Sequence, residues 1–308
     1  MGATWAPPVI DLTALRAERH VATAAAIHEA CVGTGFFVAV GHGVDAEMRA
    51  AFDAGHSFFA QSQADKERTP YVDRYGYVPH RDDAIDTSRT THRSEYLDLG
   101  LGDEVPLPDV DGFAVAVRSY QRATTALGVL LLTVLAEQLG AAPSWFTDRM
   151  TDPQCRLRFL HSRPTPAAAD GTLAVPAAPH TDYGALTLLA TDGVPGLEVQ
   201  PIGGEWTPVE APAGSLVVNL GDMLARWTND VYRSTPHRVV GSTSQHRYSI
   251  PFFLNPNPDA VIECVPSCVD EQRPARYAPV RAGDYLRARI DGAAEPYLDP
   301  AAAPARTA

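Results

Sequence analysis

Apolar and polar positions fall into two regimes along the chain. Up to Cys155 helical spacing alternates with short apolar runs, and beyond it only short runs remain, divided by Gly and Pro. Val9-Ile10-Asp11-Leu12 has the form of a short strand. Between His20 and Val32, the residues Val21, Ala24, Ile27, Cys31 and Val32 fall on one helical face, and Gly33 and Gly35 stop the pattern. Phe36 to Val40 is an unbroken apolar run, as in a buried strand. Asp45 is suited to cap a second helix running to about Phe59, because its side chain can accept from a free N–H of the first turn. From Tyr71 to Leu101 no period lasts, which predicts loops and edge strands. The strongest helical signal spans Gly112 to Leu139. There Phe113, Val117, Tyr120, Thr124, Leu127, Leu131, Val134 and Leu135 keep a three-four spacing, and Gly140 terminates it.

The β-rich runs that follow are Arg156–Leu160, Leu186–Ala190, Leu197–Gln200, Leu216–Asn219, His237–Val240 and Tyr248–Leu254. Short strands with turn residues between them predict a sandwich or barrel rather than a parallel α/β sheet. The Pro- and Ala-rich stretch Arg163–Pro179 predicts an exposed loop, and the tail beyond Asp299 is expected to fray. The fold expected is mainly β with α additions, a β-core buttressed by helices that include one long one. It forms one unit over residues 1–308. Residues 1–111 form a mixed α/β segment, 112–140 the long helix, 150–260 the β-core and 280–308 a C-terminal helix and tail.

Composition narrows the function. The 25 basic and 37 acidic residues give a net charge of -12, which argues against nucleic acid or an anionic membrane as a partner. No run approaches the roughly 18–20 apolar residues needed to cross a bilayer, and no basic segment with an apolar stretch behind it marks a secretory signal. Cys31, Cys155, Cys264 and Cys268 form no C-x-x-C pair, as expected for reduced thiols in a cytoplasmic protein. No obligate protein partner is evident.

Three stretches carry candidate chemistry. In His180-Thr181-Asp182 the two potential ligands are two apart, and on a strand they would share a face. Far along the chain comes Pro236-His237-Arg238. Two imidazoles and one carboxylate are the facial set that leaves positions open on an octahedral iron, whereas a structural zinc site is closed by four ligands. His-x-Asp alone is a short pattern, and a lone His237 serves equally well as a hydrogen-bonded core residue. The third stretch, Arg247-Tyr248-Ser249, would place a guanidinium and a hydroxyl on one strand face, a grip for a remote carboxylate. A surface salt bridge is the other reading of Arg247.

Taken together and in order, these motifs resemble the non-haem iron(II)/2-oxoglutarate-dependent dioxygenases of the isopenicillin N synthase-like family. The resemblance rests on Gly35-Phe36-Phe37-Val38-Ala39-Val40-Gly41-His42-Gly43-Val44, His180 to Leu189, Pro195-Gly196-Leu197-Glu198-Val199, Val218-Asn219-Leu220-Gly221-Asp222-Met223, Ser234 to Val239 and Arg247 to Phe253. It implies a double-stranded β-helix, or jelly roll, with iron at its mouth. Carried over, it makes His180, Asp182 and His237 the iron ligands and catalytic centre, and Arg247 and Ser249 the clamp on the far carboxylate of 2-oxoglutarate. Many relatives place an asparagine and a tyrosine on the keto acid where this chain has Leu160 and Ser162, so Ser162 is the remaining hydroxyl on that wall. His42 is expected to shape a turn and His246 to be a surface or packing residue.

The implied cofactors are Fe(II), 2-oxoglutarate as co-substrate and O2. The implied activity is oxidation of an unactivated C–H bond of a small biosynthetic molecule, by hydroxylation, desaturation or cyclisation, with release of succinate and CO2. The family's halogenating members lack the carboxylate that Asp182 supplies, so oxygenation is implied instead. Two other activities stay open: an isopenicillin N synthase-like oxidase that uses no 2-oxoglutarate, and a metal-binding sensor without turnover. A zinc hydrolase would need Glu198 as its base. The expected substrate contacts are Arg74, Tyr75, Tyr77, His80, Arg93, Tyr96, Phe252 and Phe253.

Overall fold

In chain order the elements are β1 (Val9–Asp11), α1 (Val21–Gly33), β2 (Phe36–Val40), α2 (Asp45–Phe59), α3 (Gln63–Lys66), β3 (Gly76–Val78), β4 (Ser94–Leu99), α4 (Phe113–Gln138), β5 (Arg156–Ser162), β6 (Ala177–His180), β7 (Leu186–Thr191), β8 (Leu197–Val199), β9 (Thr207–Pro208), β10 (Leu216–Leu220), α5 (Asp222–Trp227), β11 (His237–Val239), β12 (Arg247–Leu254), β13 (Val261–Ile262), β14 (Val280–Arg281) and α6 (Ala282–Ile290). This computed structural model describes residues 5–16, 20–80, 94–101, 107–164, 177–240 and 245–292.

The strands form an eight-stranded sheet in the order β1-β2-β10-β7-β12-β5-β4-β3, a four-stranded sheet in the order β6-β11-β8-β9 and a separate β13-β14 pair. All their pairings are antiparallel except β1 with β2. The eight- and four-stranded sheets are the layers of a jelly roll, and helices α1, α2 and α4 cover the back of the larger one. Alternation along each strand divides it between two environments. On β12, Ile250, Phe252 and Leu254 join the main core under the helices, while Arg247, Ser249, Pro251 and Phe253 line the space between the sheets. On β5, Leu157 and Phe159 join the core, and Arg158, Leu160 and Ser162 face the cavity.

Helix α4 buries all eight residues of its three-four stripe. It ends because Gly140 takes a left-handed φ of 71°, with its N–H on the Glu137 carbonyl and the Ala141 N–H on the Ala136 carbonyl. The six β-rich runs past Cys155 are all strands.

Several local expectations change. Val21 is 77% exposed, so the buried stripe of α1 is Ala24, Ile27, Ala30 and Cys31. Asp45 is the first helical residue of α2 rather than its cap, and the flanking Val44 caps nothing through its side chain. β4 lies inside the large sheet with β3 at the edge, because both sides of β4 find partners. Within the stretch expected to be a loop, Ala177–His180 is strand β6, paired with β11. Residues 165–176 and the tail from 293 lie outside the described residues. All four cysteines are thiols, and no helix among the described residues is long and apolar enough to cross a membrane.

Candidate metal centre and its cavities

Strand pairing brings the two histidines together: His180 at the end of β6 is the register partner of His237 at the start of β11. Their ring centroids are 4.3 Å apart. Asp182 does not share a strand with His180, as its spacing suggested, but lies in the turn beyond the end of β6. That turn is anchored by the Asp222 N–H on the Asp182 carbonyl at 2.7 Å and by the Thr181 hydroxyl on Asp222 Oδ2 at 3.0 Å. It also packs so closely that a Cβ on Gly184 would collide with Asn255 Oδ1.

Hydrogen bonds fix the chemical state of each donor. His180 Nδ1 is 2.7 Å from the Ala178 carbonyl, and His237 Nδ1 is 3.2 Å from the Thr235 carbonyl. A carbonyl can only accept, so both Nδ1 atoms carry the proton and both Nε2 atoms keep a lone pair when the rings are neutral. Asp182 Oδ2 accepts from Thr187 Oγ1 at 2.5 Å and Asn219 Nδ2 at 2.7 Å. This leaves Oδ1 facing the rings, 4.0 Å from His180 Nε2 and 3.7 Å from His237 Nε2. The three ligand atoms lie within 4.8 Å of one another with no hydrogen bond between them.

The electrostatics agree with that arrangement. Burial pushes the Asp182 carboxyl up, but His237, His180 and the bonds from Thr187 and Asn219 outweigh it and hold the group below its usual range. Burial also pushes the His237 imidazole down, which favours the neutral ring a metal requires. Neutral imidazoles with a carboxylate, open on one side, suit a divalent transition ion with exchangeable positions.

Beside this triad an inner cavity of about 110 Å³ is lined by Phe36, Leu160, Ser162, Leu189, Arg247 and Ser249, among others. Arg247 is 6% exposed. Its Nη1 donates to Ser249 Oγ at 3.2 Å and its Nε to the Val194 carbonyl at 3.3 Å. No carboxylate among the described residues lies within ion-pair distance of it. Ser162 is its register partner on β5, and the Ser162 and Ser94 hydroxyls are 2.6 Å apart.

An outer cavity of about 470 Å³ also borders the triad, at His180 and Asp182. Of the residues expected to contact substrate, Arg74, Tyr75 and Phe253 line it. Arg74 sits with Asp73 in a tight turn, both at positive φ, and its Nη2 reaches Asp291 Oδ1 beyond α6 at 2.7 Å. Two expected contacts face the wrong way. Phe252, adjacent to Phe253, is fully buried on the helix side, since neighbours on a strand point to opposite faces. Tyr77 packs on Phe58 and donates its hydroxyl to Glu95 in a buried network with Lys66 and His161. Tyr96 lies beneath the Arg158 guanidinium, 4.4 Å from it, rather than on a cavity wall. His80 lines neither cavity, and Arg93 lies outside the described residues.

Glu198, His42 and His246 all lie off the triad. Glu198 pairs with Arg238 at 2.7 Å and is absent from both cavities, so the base a hydrolase would need is not beside the triad. His42 shapes the turn, its Nε2 donating to the Gly214 carbonyl at 2.8 Å while its Nδ1 accepts from the Val44 N–H. His246 stacks on His161 and shares a 2.7 Å hydrogen bond with it. Sequence pattern gave no role to Thr187, Asn219 and Asp222, although all three stand inside a quoted motif. It also missed Arg156, Arg158 and the α6 residues Leu286 and Arg287 of the outer wall. Parity from Leu160 along β5 was the available signal for the two arginines.

Residues 151–256 match the 2OG-Fe(II) oxygenase superfamily, and residues 7–111 match the family described as non-haem dioxygenase in morphine synthesis N-terminal. The chain is 31% identical to the 2-oxoglutarate-Fe(II) type oxidoreductase hxnY of Emericella nidulans, over 92% of this chain and 89% of that protein. It is 33% identical to the 2-oxoglutarate-dependent dioxygenase citB of Monascus ruber, over 76% and 78% of the two chains. Among solved structures it is similar to a full-length Neurospora crassa protein in complex with alpha-KG and thymine, with a TM-score of 0.83 and 26% identity over 93% of this chain and 96% of that one.

Proposed function

The chain belongs to the 2OG-Fe(II) oxygenase superfamily, and on that premise we propose that it oxidises an unactivated C–H bond of a small biosynthetic molecule. The overall balance is R–H + O2 + 2-oxoglutarate → R–OH + succinate + CO2, and desaturation or ring closure would use the same residues. The enzyme is a dioxygenase whose cofactors are Fe(II), 2-oxoglutarate and O2. The observation that carries the reading is one juxtaposition: three metal-type donors converge without bonding each other, next to a buried guanidinium that meets no carboxylate among the described residues.

In this reading His180, Asp182 and His237 hold the iron through Nε2, Oδ1 and Nε2. Iron supplies the dioxygen activation that no protein side chain provides. Arg247 and Ser249 receive the remote carboxylate of 2-oxoglutarate, pairing the guanidinium and orienting the keto acid toward the triad. Ser162 lines the same cavity. Leu160, Leu189 and Phe36 make its walls apolar and keep out water, which strengthens the charge pairing at Arg247. Thr187 and Asn219 fix Asp182 Oδ2, so that Oδ1 presents its lone pairs with little freedom to lose on binding.

The test is product balance in purified protein supplied with iron(II), ascorbate, 2-oxoglutarate and air. Slow succinate release, accelerated by a substrate and matched one to one with oxygen consumed, is expected. Oxygen uptake without succinate would move the protein to the oxidases. Neither reaction, across a broad panel of small molecules, would leave a metal-binding protein without turnover.

A further inference from the structure

The outer cavity is basic in a chain whose net charge is -12. Two of its arginines, Arg156 and Arg158, stand two apart on β5 and so on the same face. Both depend on one acid, Asp98, which is wholly buried. Arg158 takes both of its oxygens, Nε to Oδ1 at 2.6 Å and Nη2 to Oδ2 at 2.7 Å. Arg156 is left with a 3.7 Å approach from Nη1 to Oδ2 and no hydrogen bond, with Tyr75 beneath its guanidinium. Arg158 Nη1 is likewise unused. Two guanidinium charges against one carboxylate leave one surplus positive charge at this pair; the acids that line the cavity are Asp182, in the triad, and the exposed Asp73 beside Arg74. The other cavity arginines differ, since Arg74 has Asp291 and Arg287 has Asp284.

Resting on the oxygenase reading above, we infer that the prime substrate is a monocarboxylate, received by Arg156 and the free Nη1 edge of Arg158. At this pair one negative charge neutralises the surplus and a phosphate dianion would exceed it, the more so in a cavity that Asp73 and Asp182 also line. Position favours a substrate rather than the co-substrate. Arg156 lines only the outer cavity, whereas Arg158 lines both, along with His180, Asp182 and Phe253. A carboxylate held there is anchored on the wall that leads to the triad, leaving its carbon skeleton to fill the rest of the outer cavity against Phe253 and Leu286.

The test measures binding to manganese(II)-loaded protein with 2-oxoglutarate present, by isothermal titration. The probes are monocarboxylic acids of increasing size, from benzoate through phenylacetate to cyclohexylbutyrate, each beside its primary amide, with phenyl phosphate for comparison. Several acids should bind at least about tenfold more tightly than their amides, the worth of one charge-assisted hydrogen bond. In Arg156→Gln that preference should fall to about twofold or less, and in Arg149→Gln, a charge change at a residue that lines neither cavity, it should persist. The inference is overturned if no acid outbinds its amide, if Arg156→Gln keeps the preference, or if phenyl phosphate binds more tightly than every acid. Failure of 2-oxoglutarate itself to bind would instead overturn the reading on which the inference rests.

Discussion

Arg247→Met swaps a buried guanidinium for an apolar chain of similar length, and its consequences should differ in size between the free and the liganded protein. Without ligand, Arg247 makes two long hydrogen bonds, at 3.2 and 3.3 Å, and meets no carboxylate among the described residues. Burial pushes its pKa down, with partial relief from Asp192, so the free protein bears the cost of hiding this charge. Losing the side chain should therefore change the stability of the free protein by no more than about 1 kcal/mol in either direction. With 2-oxoglutarate bound, the substitution strands a buried carboxylate, which costs about 3–5 kcal/mol, or roughly two to three and a half orders of magnitude in affinity. Thermal unfolding of manganese(II)-loaded protein separates these effects. At a concentration of 2-oxoglutarate about 100 times the wild-type Kd, the wild type gains about 2.7 kcal/mol, and a variant weakened 100-fold gains only about 0.4 kcal/mol. A variant that is strongly destabilised without ligand, yet stabilised by 2-oxoglutarate as much as the wild type, would make Arg247 a structural residue and refute the reasoning.

Two further outcomes follow from the division of the large sheet into faces. Phe252→Ala should cost about 3–5 kcal/mol in urea unfolding, because it opens a hole under the helices, whereas Phe253→Ala should cost less than about 1 kcal/mol and act on substrate binding; the reverse order would put the register of β12 out by one residue. Glu95 is buried on the helix face with Lys66, the single lysine of the chain, and burial pushing its carboxyl up is overcome by bonds from His161, Lys66 and Tyr77 that hold it at about 2. An unfolded glutamate titrates near 4.5, so this contribution is complete above that pH and is lost as the pH falls toward 2; its size is about 3 kcal/mol. Glu95→Gln should flatten the stability profile across that window in acid titrations followed by circular dichroism, and an unchanged slope would show that the network does not hold the charge.

The placement of the substrate contacts shows where local pattern stops being informative. Phe252 and Phe253 are both large and apolar, and alternation says only that they face opposite ways. Which of them meets the cavity is decided by the pairing of β12 with β5 and β7, a contact between distant segments. Tyr77 and Tyr96 fail as wall residues for a related reason. Each found a polar partner, Glu95 and Arg158, whose position depends on how β3, β4 and β5 align.

What the chain determines by itself is what short-range periodicity and side-chain chemistry can encode. It sets the long helix with its glycine stop, the run of short strands, the character of a mainly β protein, and the presence in order of His180, Asp182, His237, Arg247 and Ser249. Tertiary structure alone decides that Asp182 arrives from a turn, that Thr187 and Asn219 hold it, and that Arg156 and Arg158 share one buried acid while α6 closes the outer wall. These arrangements depend on strand register and on packing between segments far apart in sequence, where the alternation of a strand leaves two faces equally available until a partner is chosen.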